Sequence, residues 1–319
     1  MNLYEGTDWM GPKPTVGSDN PSFFYPFTKN ILLTEIMENS VMSEEVKKRI
    51  MKEGYPLQRF CGKKLQSLGW TVDEEYPVEQ AVPVSWNPYG LVEGELKQVR
   101  TSGDIRAIYQ RPTKGFAICI CISCKRQSKV DWSFMKAMFT ENIHKLISGV
   151  KYADGENIDD CIFDLRDGLD ERYPLCNIPT NLFNRNENTP REEDKIVKTS
   201  ENLYLETLQT YEDYRSWLRD DAPYNQMIFI PIIVTAAKIH AYDVDETNFK
   251  IDNIDAINIA EVNYLMYQHH LPRSMHRNLL IKNTTETTIL KKFNLFVVNY
   301  QNFENFIKSL MKKFEDHPM

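Results

Sequence analysis

Apolar positions along the chain fall into alternating helix-like and strand-like rhythms. Between Thr28 and Gly54, Leu32, Leu33, Ile36, Met37, Val41, Val46 and Ile50 recur at three- and four-residue steps and predict helix. Ser43, followed by Glu44 and Glu45, marks a second helix start inside that stretch. YPLQRFCGKKLQSLGW places Leu57, Phe60, Cys61, Leu65 and Leu68 on one side of a helix, with Gly69 where helices end. TVDEEYPVEQ and SGDIRAIYQ predict strands, the latter alternating Ile105, Ala107 and Tyr109. Val82 to Leu96, broken by Pro83, Pro88, Gly90 and Gly94, is expected as loop or short strands. FAICICISC is apolar on both faces and is expected at the centre of a sheet. WSFMKAMFTENIHKLI is expected as a helix, and SENLYLETLQTYEDYRSWLRD as another, capped by Ser200. MIFIPIIVTAAKIHAY predicts a buried strand with Pro231 near an edge or bulge. NIDAINIAEVNYLMY and FNLFVVN each predict one strand, and NFENFIKSLMKKF a closing helix.

This order fits a mixed α/β fold, a central β-sheet flanked by helices, better than a barrel or a doubly wound sheet. Read as one enlarged domain over 1–319, the chain comprises an N-terminal arm and helices (1–54), a core (55–150), a polar acidic insertion (151–200) and a closing block of added core strands and helix (201–319). The 319 residues would at about 150 per domain allow two domains. However, Met227 to Ala237 is apolar on both faces and needs the cover of a shared core. A net charge of −7 excludes a protein that coats nucleic acid by bulk positive charge. The opening MNLYEGTDWMGPKP carries Glu5 and Asp8 without an apolar run, so no secretory signal is expected. No apolar stretch reaches bilayer length, and the six irregularly spaced cysteines are expected as reduced thiols in a cytoplasm, with no membrane partner. No GxGxxG or GxxxxGK[ST] cradle is present.

The candidate chemistry lies where two predicted strands meet. Asp104 opens one and Lys125 closes the next, and the short turn RPTKG between them implies an antiparallel hairpin. An acid and a lysine at one sheet end suit metal-assisted phosphodiester hydrolysis, the acid holding a divalent cation and the lysine facing a phosphate or an attacking water.

The helix ending KKLQSLGW, the acid in SGDIRAI and the strand ending SCKRQ together resemble the PD-(D/E)XK restriction-endonuclease-like family, particularly its Mrr-like branch. The resemblance covers residues 55–139. It implies a restriction-endonuclease-like core, with Asp104 as metal-binding acid, Lys125 as catalytic lysine, and the main-chain carbonyl of Cys124 as a further ligand to Mg2+ or Mn2+. The family's usual Asp, Glu or Gln is here Ser123, a weaker neutral ligand grouped with the catalytic set. Some relatives add an acid from the preceding helix, where this chain has Gln58 with Glu53 before it; Glu75 or Glu79 are further candidate metal ligands from the first strand.

The function expected is therefore a metal-dependent DNA endonuclease, a hydrolase of the restriction or defence type acting as a homodimer. The alternative is a catalytically silent nuclease-fold module that binds nucleic acid or a protein partner, and a third reading makes Asp104 and Lys125 an ordinary cross-strand ion pair. Arg106, Arg126, Gln127 and Lys129 are the candidate phosphate contacts, in the basic strip nearest the site. Trp132 and Phe134 suit base stacking or core packing. Cys119, Cys121 and Cys124 lack zinc-site spacing and are read as small buried hydrophobes. His269 and His270 are expected as a solvated pair at a strand end, facing opposite ways.

Overall fold

The structure, a computed structural model, describes residues 47, 50–51, 55–83, 96–111, 115–126, 131–138, 145–151, 158–164, 173–181, 192–220, 224–280 and 287–316. The chain divides into two compact units, Met1–Lys47 and Lys48–Met319. Everything below concerns the second; the arm and helices expected over 1–54 lie almost wholly outside the described residues.

In chain order the elements are α1 (Tyr55–Ser67), β1 (Thr71–Pro83), β2 (Leu96–Arg111), β3 (Phe116–Lys125), β4 (Trp132–Lys136), β5 (Lys145–Lys151), β6 (Ile158–Asp164) and β7 (Leu175–Asn181). They continue with α2 (Glu192–Asp220), β8 (Gln226–Thr235), β9 (Ile239–Val244), β10 (Ile257–Val262), β11 (Tyr264–His270), β12 (Arg277–Leu280), β13 (Thr287–Leu290), β14 (Lys292–Asn299) and α3 (Phe303–Asp316). Twelve strands form one mixed sheet in the order β1-β2-β3-β8-β14-β11-β7-β4-β9-β10, with β5 branching from β8 and carrying β6; β12 and β13 make a separate ribbon. The fold is thus α/β with a large mixed sheet and helices on both faces.

The two faces are legible in β3, a strand buried along nearly its whole length. Ile118, Ile120, Ile122 and Cys124 pack with Leu57, Cys61 and Leu65 of α1 and with Phe303, Phe306, Ile307, Leu310 and Phe314 of α3. Cys119 and Cys121, one step out of phase, pack with Leu203, Tyr204, Leu208 and Tyr211 of α2. A strand covered on both sides has no polar face to spare, which is why FAICICISC reads as continuous apolar sequence. β2 pairs antiparallel with β3 from Ile105↔Ile122 to Arg111↔Phe116. β3 runs parallel to β8 from Phe116↔Gln226 to Lys125↔Thr235, so Met227 to Ala237 belongs to the same sheet as the candidate site.

Several expectations change. Residues 132–136 and 145–151 are strands, not a helix; Trp132 and Phe134 are buried beneath the sheet's α2 side and serve the core. Short runs of aromatic and aliphatic residues fit either period, and pairing with β9 and β7 decides this one. The polar stretch 151–200 contains β7, which sits inside the main sheet between β11 and β4. α2 begins at Glu192, so Ser200 is interior and its hydroxyl donates to the Ile196 carbonyl at 2.8 Å. The apolar segment 227–242 divides into β8 and β9, and 253–267 into β10 and β11. Pro231 lies inside β8, in the interval between the β5 pairing, which ends at Ile228, and the β14 pairing, which starts at Ile232. A residue without an N–H is tolerated where that side of the strand has no ladder partner.

Candidate active site

α1 ends with Gly69 at φ +86, the left-handed cap its sequence position predicts. The helix lies across the start of the β2–β3 hairpin, and the Gln58 side-chain amide donates to the Asp104 main-chain carbonyl at 2.7 Å. The β2–β3 ladder stops at Ile105↔Ile122. Beyond it, the Asp104 carboxylate replaces the missing strand partner: its Oδ2 accepts the Cys124 N–H at 2.5 Å and faces the Ser123 hydroxyl at 3.4 Å. The carboxylate is therefore pinned at the mouth of β3 by the backbone itself. Lys125 closes β3, half-buried, and its carbonyl accepts the Ala236 N–H at 3.1 Å.

α2 contributes an acid that no reading of the sequence singled out. Glu206 is only 4% exposed. Burial pushes its carboxyl well above the usual range, and the neighbouring Cys121 and Asp104 push the same way, while Lys125 and the Tyr76 hydroxyl oppose the rise. Its Oε2 has no hydrogen bond among the described residues. The signal was present in LYLETLQT: Glu206 follows Leu203 by three residues and precedes Thr210 by four, so it lies on the apolar stripe of the helix. Beneath it the Cys121 thiol contacts the Thr210 hydroxyl at 3.5 Å. Burial pushes the Cys119 thiol up. Cys124 is also raised, by its hydrogen bond with Cys61 and by burial. The five cysteines whose side chains are described, Cys61, Cys119, Cys121, Cys124 and Cys176, are buried and free.

The structure brings Asp104, Ser123, Cys124 and Lys125 together at one strand end. It takes Arg106 elsewhere. That guanidinium is paired with Asp73 at 2.9 Å and Asp213 at 3.0 Å, and lies over the rings of Tyr76 (4.6 Å) and Tyr214 (5.4 Å). It ties β1, β2 and α2 together, leaving it committed within the fold and not free for a phosphate. Arg126 flanks Lys125, half-buried; Gln127 and Lys129 lie outside the described residues. Glu75 is exposed and falls at the gap in the β1–β2 register between Glu74↔Ile105 and Tyr76↔Gly103, and the side chain of Glu79 lies outside the described residues. Glu74 turns to α1 and pairs with Arg59 at 3.0 Å. His269 is buried, not solvated, because β14 and the α2 side cover it.

Among the described residues no group of three or more His, Cys, Asp or Glu is placed to hold a metal ion. The candidate donors are the Asp104 carboxylate with the Ser123 hydroxyl at the strand end, and the Glu206 carboxyl of α2, which lies within electrostatic reach of Asp104. These are hard oxygen donors of the kind Mg2+ and Mn2+ take, and the buried, unpartnered Oε2 of Glu206 is what a cation would satisfy. No family model, curated protein or solved structure matches this chain. Among the described residues no helix is long and apolar enough to cross a membrane.

Proposed function

We propose that the chain is a divalent-metal-dependent endonuclease of the restriction-endonuclease-like type, hydrolysing DNA phosphodiesters at the Asp104–Lys125 strand end. The observation that carries this reading is the meeting of Asp104, fixed by the Cys124 N–H, with Lys125 at the close of the adjacent strand; the buried carboxyl of Glu206 lies within their electrostatic reach. Glu206 supplies the second carboxyl that Ser123 lacks, one that would ionise as a cation binds, so the acid would come from α2 and not from β1. Asp104, Glu206 and Ser123 would hold Mg2+ or Mn2+, and the cation would polarise the phosphodiester and acidify a bound water. Asp104 contributes a carboxylate whose direction is set by a backbone bond, so little reorganisation is needed when a cation arrives. Lys125 presents its ammonium to the phosphate, neutralising the charge that builds at the reacting phosphorus oxygens. Arg126 extends the positive edge along the backbone of the nucleic acid.

Cutting both strands needs two such centres, so the proposed active species is a homodimer. The described cysteines are all free, which suits a reducing compartment, the cytoplasm.

A second reading, a silent module that binds nucleic acid or a protein, is favoured by the same short bond: an Asp104 oxygen committed to the Cys124 N–H is partly withdrawn from metal binding. The two separate in one assay. Plasmid and single-stranded DNA are incubated with Mg2+ or Mn2+, against chelator, for wild type, Asp104→Asn and Lys125→Ala. Chelator-sensitive cleavage is expected in wild type, with a loss of about 100-fold or more in each variant. Inactive wild type that still binds DNA moves the conclusion to the module, and cleavage that survives Lys125→Ala places the centre elsewhere.

A further inference from the structure

Tyr76 sits on the wrong face of its strand. Alternation along β1 sends Val72 and Glu74 toward α1, where Val72 packs against that core and Glu74 meets Arg59, and sends Asp73 toward α2, where it meets Arg106. Tyr76 belongs by parity with Val72 and Glu74. Its ring instead lies under the Arg106 guanidinium, beside Cys121 and Glu206, on the α2 side. The cause is Glu75, the one non-glycine residue with positive φ among the described residues, at +57. That conformation costs about 1 kcal/mol or more for a residue with a side chain. It flips the following residue across the sheet, as a bulge does.

A second feature serves the same end. The Tyr76 ring occupies the space that a Cβ on Gly103 would fill, and Gly103 directly precedes Asp104. One strained residue on β1 and one absent side chain on β2 thus place a single phenol. The phenol is 2% exposed and its hydroxyl makes no hydrogen bond of ordinary geometry among the described residues, the same condition as Glu206 Oε2. Both oxygens are buried, one a donor and one an acceptor, on side chains that are neighbours on the α2 side of the sheet. Buried polar groups in that state are rare unless something further completes them.

We infer that Tyr76 is a positioning residue for Glu206: its hydroxyl donates to one carboxylate oxygen and so turns the other toward the cation shared with Asp104. This rests on the endonuclease reading. The strain at Glu75 and the glycine at 103 are then part of the site, maintained because they deliver the phenol to α2.

The test uses the full chain and Mn2+ as probe, with binding followed by the loss of the free-ion paramagnetic resonance signal, independently of cleavage. Tyr76→Phe keeps the ring over Gly103 and under Arg106 and removes only the hydroxyl. Mn2+ affinity is expected to fall about tenfold, the size of one hydrogen bond to a charged group, and kcat to fall with KM for DNA unchanged. The thermal midpoint without metal should hold or rise. Glu206→Gln should weaken Mn2+ binding as well, and adding Tyr76→Phe to it should cost nothing more, because the phenol acts only through the carboxylate. Wild type that binds Mn2+ through Asp104 but is indifferent to Tyr76→Phe, or losses that add in the double variant, overturns this inference alone. Wild type that neither binds Mn2+ nor cleaves DNA overturns the endonuclease reading and this inference with it.

Discussion

His269, one residue from the end of β11, shows how much a single side chain's surroundings weigh. Its Nδ1 lies 3.1 Å from the Tyr267 hydroxyl, its Nε2 has no hydrogen bond among the described residues, and it is 4% exposed. Burial, with the neighbouring His270 adding to it, pulls the imidazole down to about 4 from an ordinary 6.5. Between those values the unfolded chain binds a proton that the folded chain refuses, so stability is full above 6.5 and falls as pH drops toward 4. The loss from this residue is about 3 kcal/mol at the acid end. Urea unfolding at neutral pH and near pH 4.5 should show it, and His269→Gln should flatten the slope; an unchanged slope in the variant would refute the assignment. The sequence placed His269 on a strand end but could not say what lay over it, since its cover comes from β14 and α2, remote along the chain. The candidate site divides the same way. Asp104, Ser123, Cys124 and Lys125 were legible because a short turn joins their strands, so local order alone sets them side by side. Glu206 was not, because it arrives from a helix whose docking is a tertiary event.

At the level of elements, legibility follows from how far each segment's own pattern decides its state. α1 carries its apolar residues four apart and a glycine stop, and it forms as expected. β3 is apolar at every position from Phe116 to Ile122 and reads as a central strand. WSFMK has too few residues to fix a period, and its strand state comes from partners far off in sequence, β7 and β9. Where two strands were read as one, as in β8 with β9, the break is a tight bend in which the Ala237 N–H meets the Thr235 hydroxyl at 3.1 Å. β2 offers a test at this scale. Gly103→Ala should drive a methyl into the Tyr76 ring and cost about 2 kcal/mol, the usual range for overpacking a filled core. The urea midpoint reports it. No loss of stability would mean that the ring moves freely, and the account of the β1–β2 edge would fail.

For the unit as a whole, the strands are interleaved in a way that resists division. The elements before α2 do not form a sheet of their own. β3 has β8 as its parallel neighbour over ten register pairs, β4 pairs with β9, and β7 pairs with β11, all partners from beyond α2. Neither half can cover the faces of its own central strands: β3 and β8 are each buried along nearly their whole length, and each borrows that cover from the other side of the chain. A cut between β7 and α2 should therefore leave two fragments held together by main-chain ladders and a common core. A protease site inserted between Asn181 and Glu192 makes the cut at a known place. After cleavage the two pieces are expected to co-elute under native conditions and to separate only in denaturant. The strand end carrying Asp104 and Lys125 belongs to the first piece and Glu206 to the second, so Mn2+ binding should survive the cut while the pieces stay together and vanish once they part. Fragments that separate without denaturant, each retaining its own fold, would show two independent cores and break the chain of reasoning from the shared sheet to the shared site.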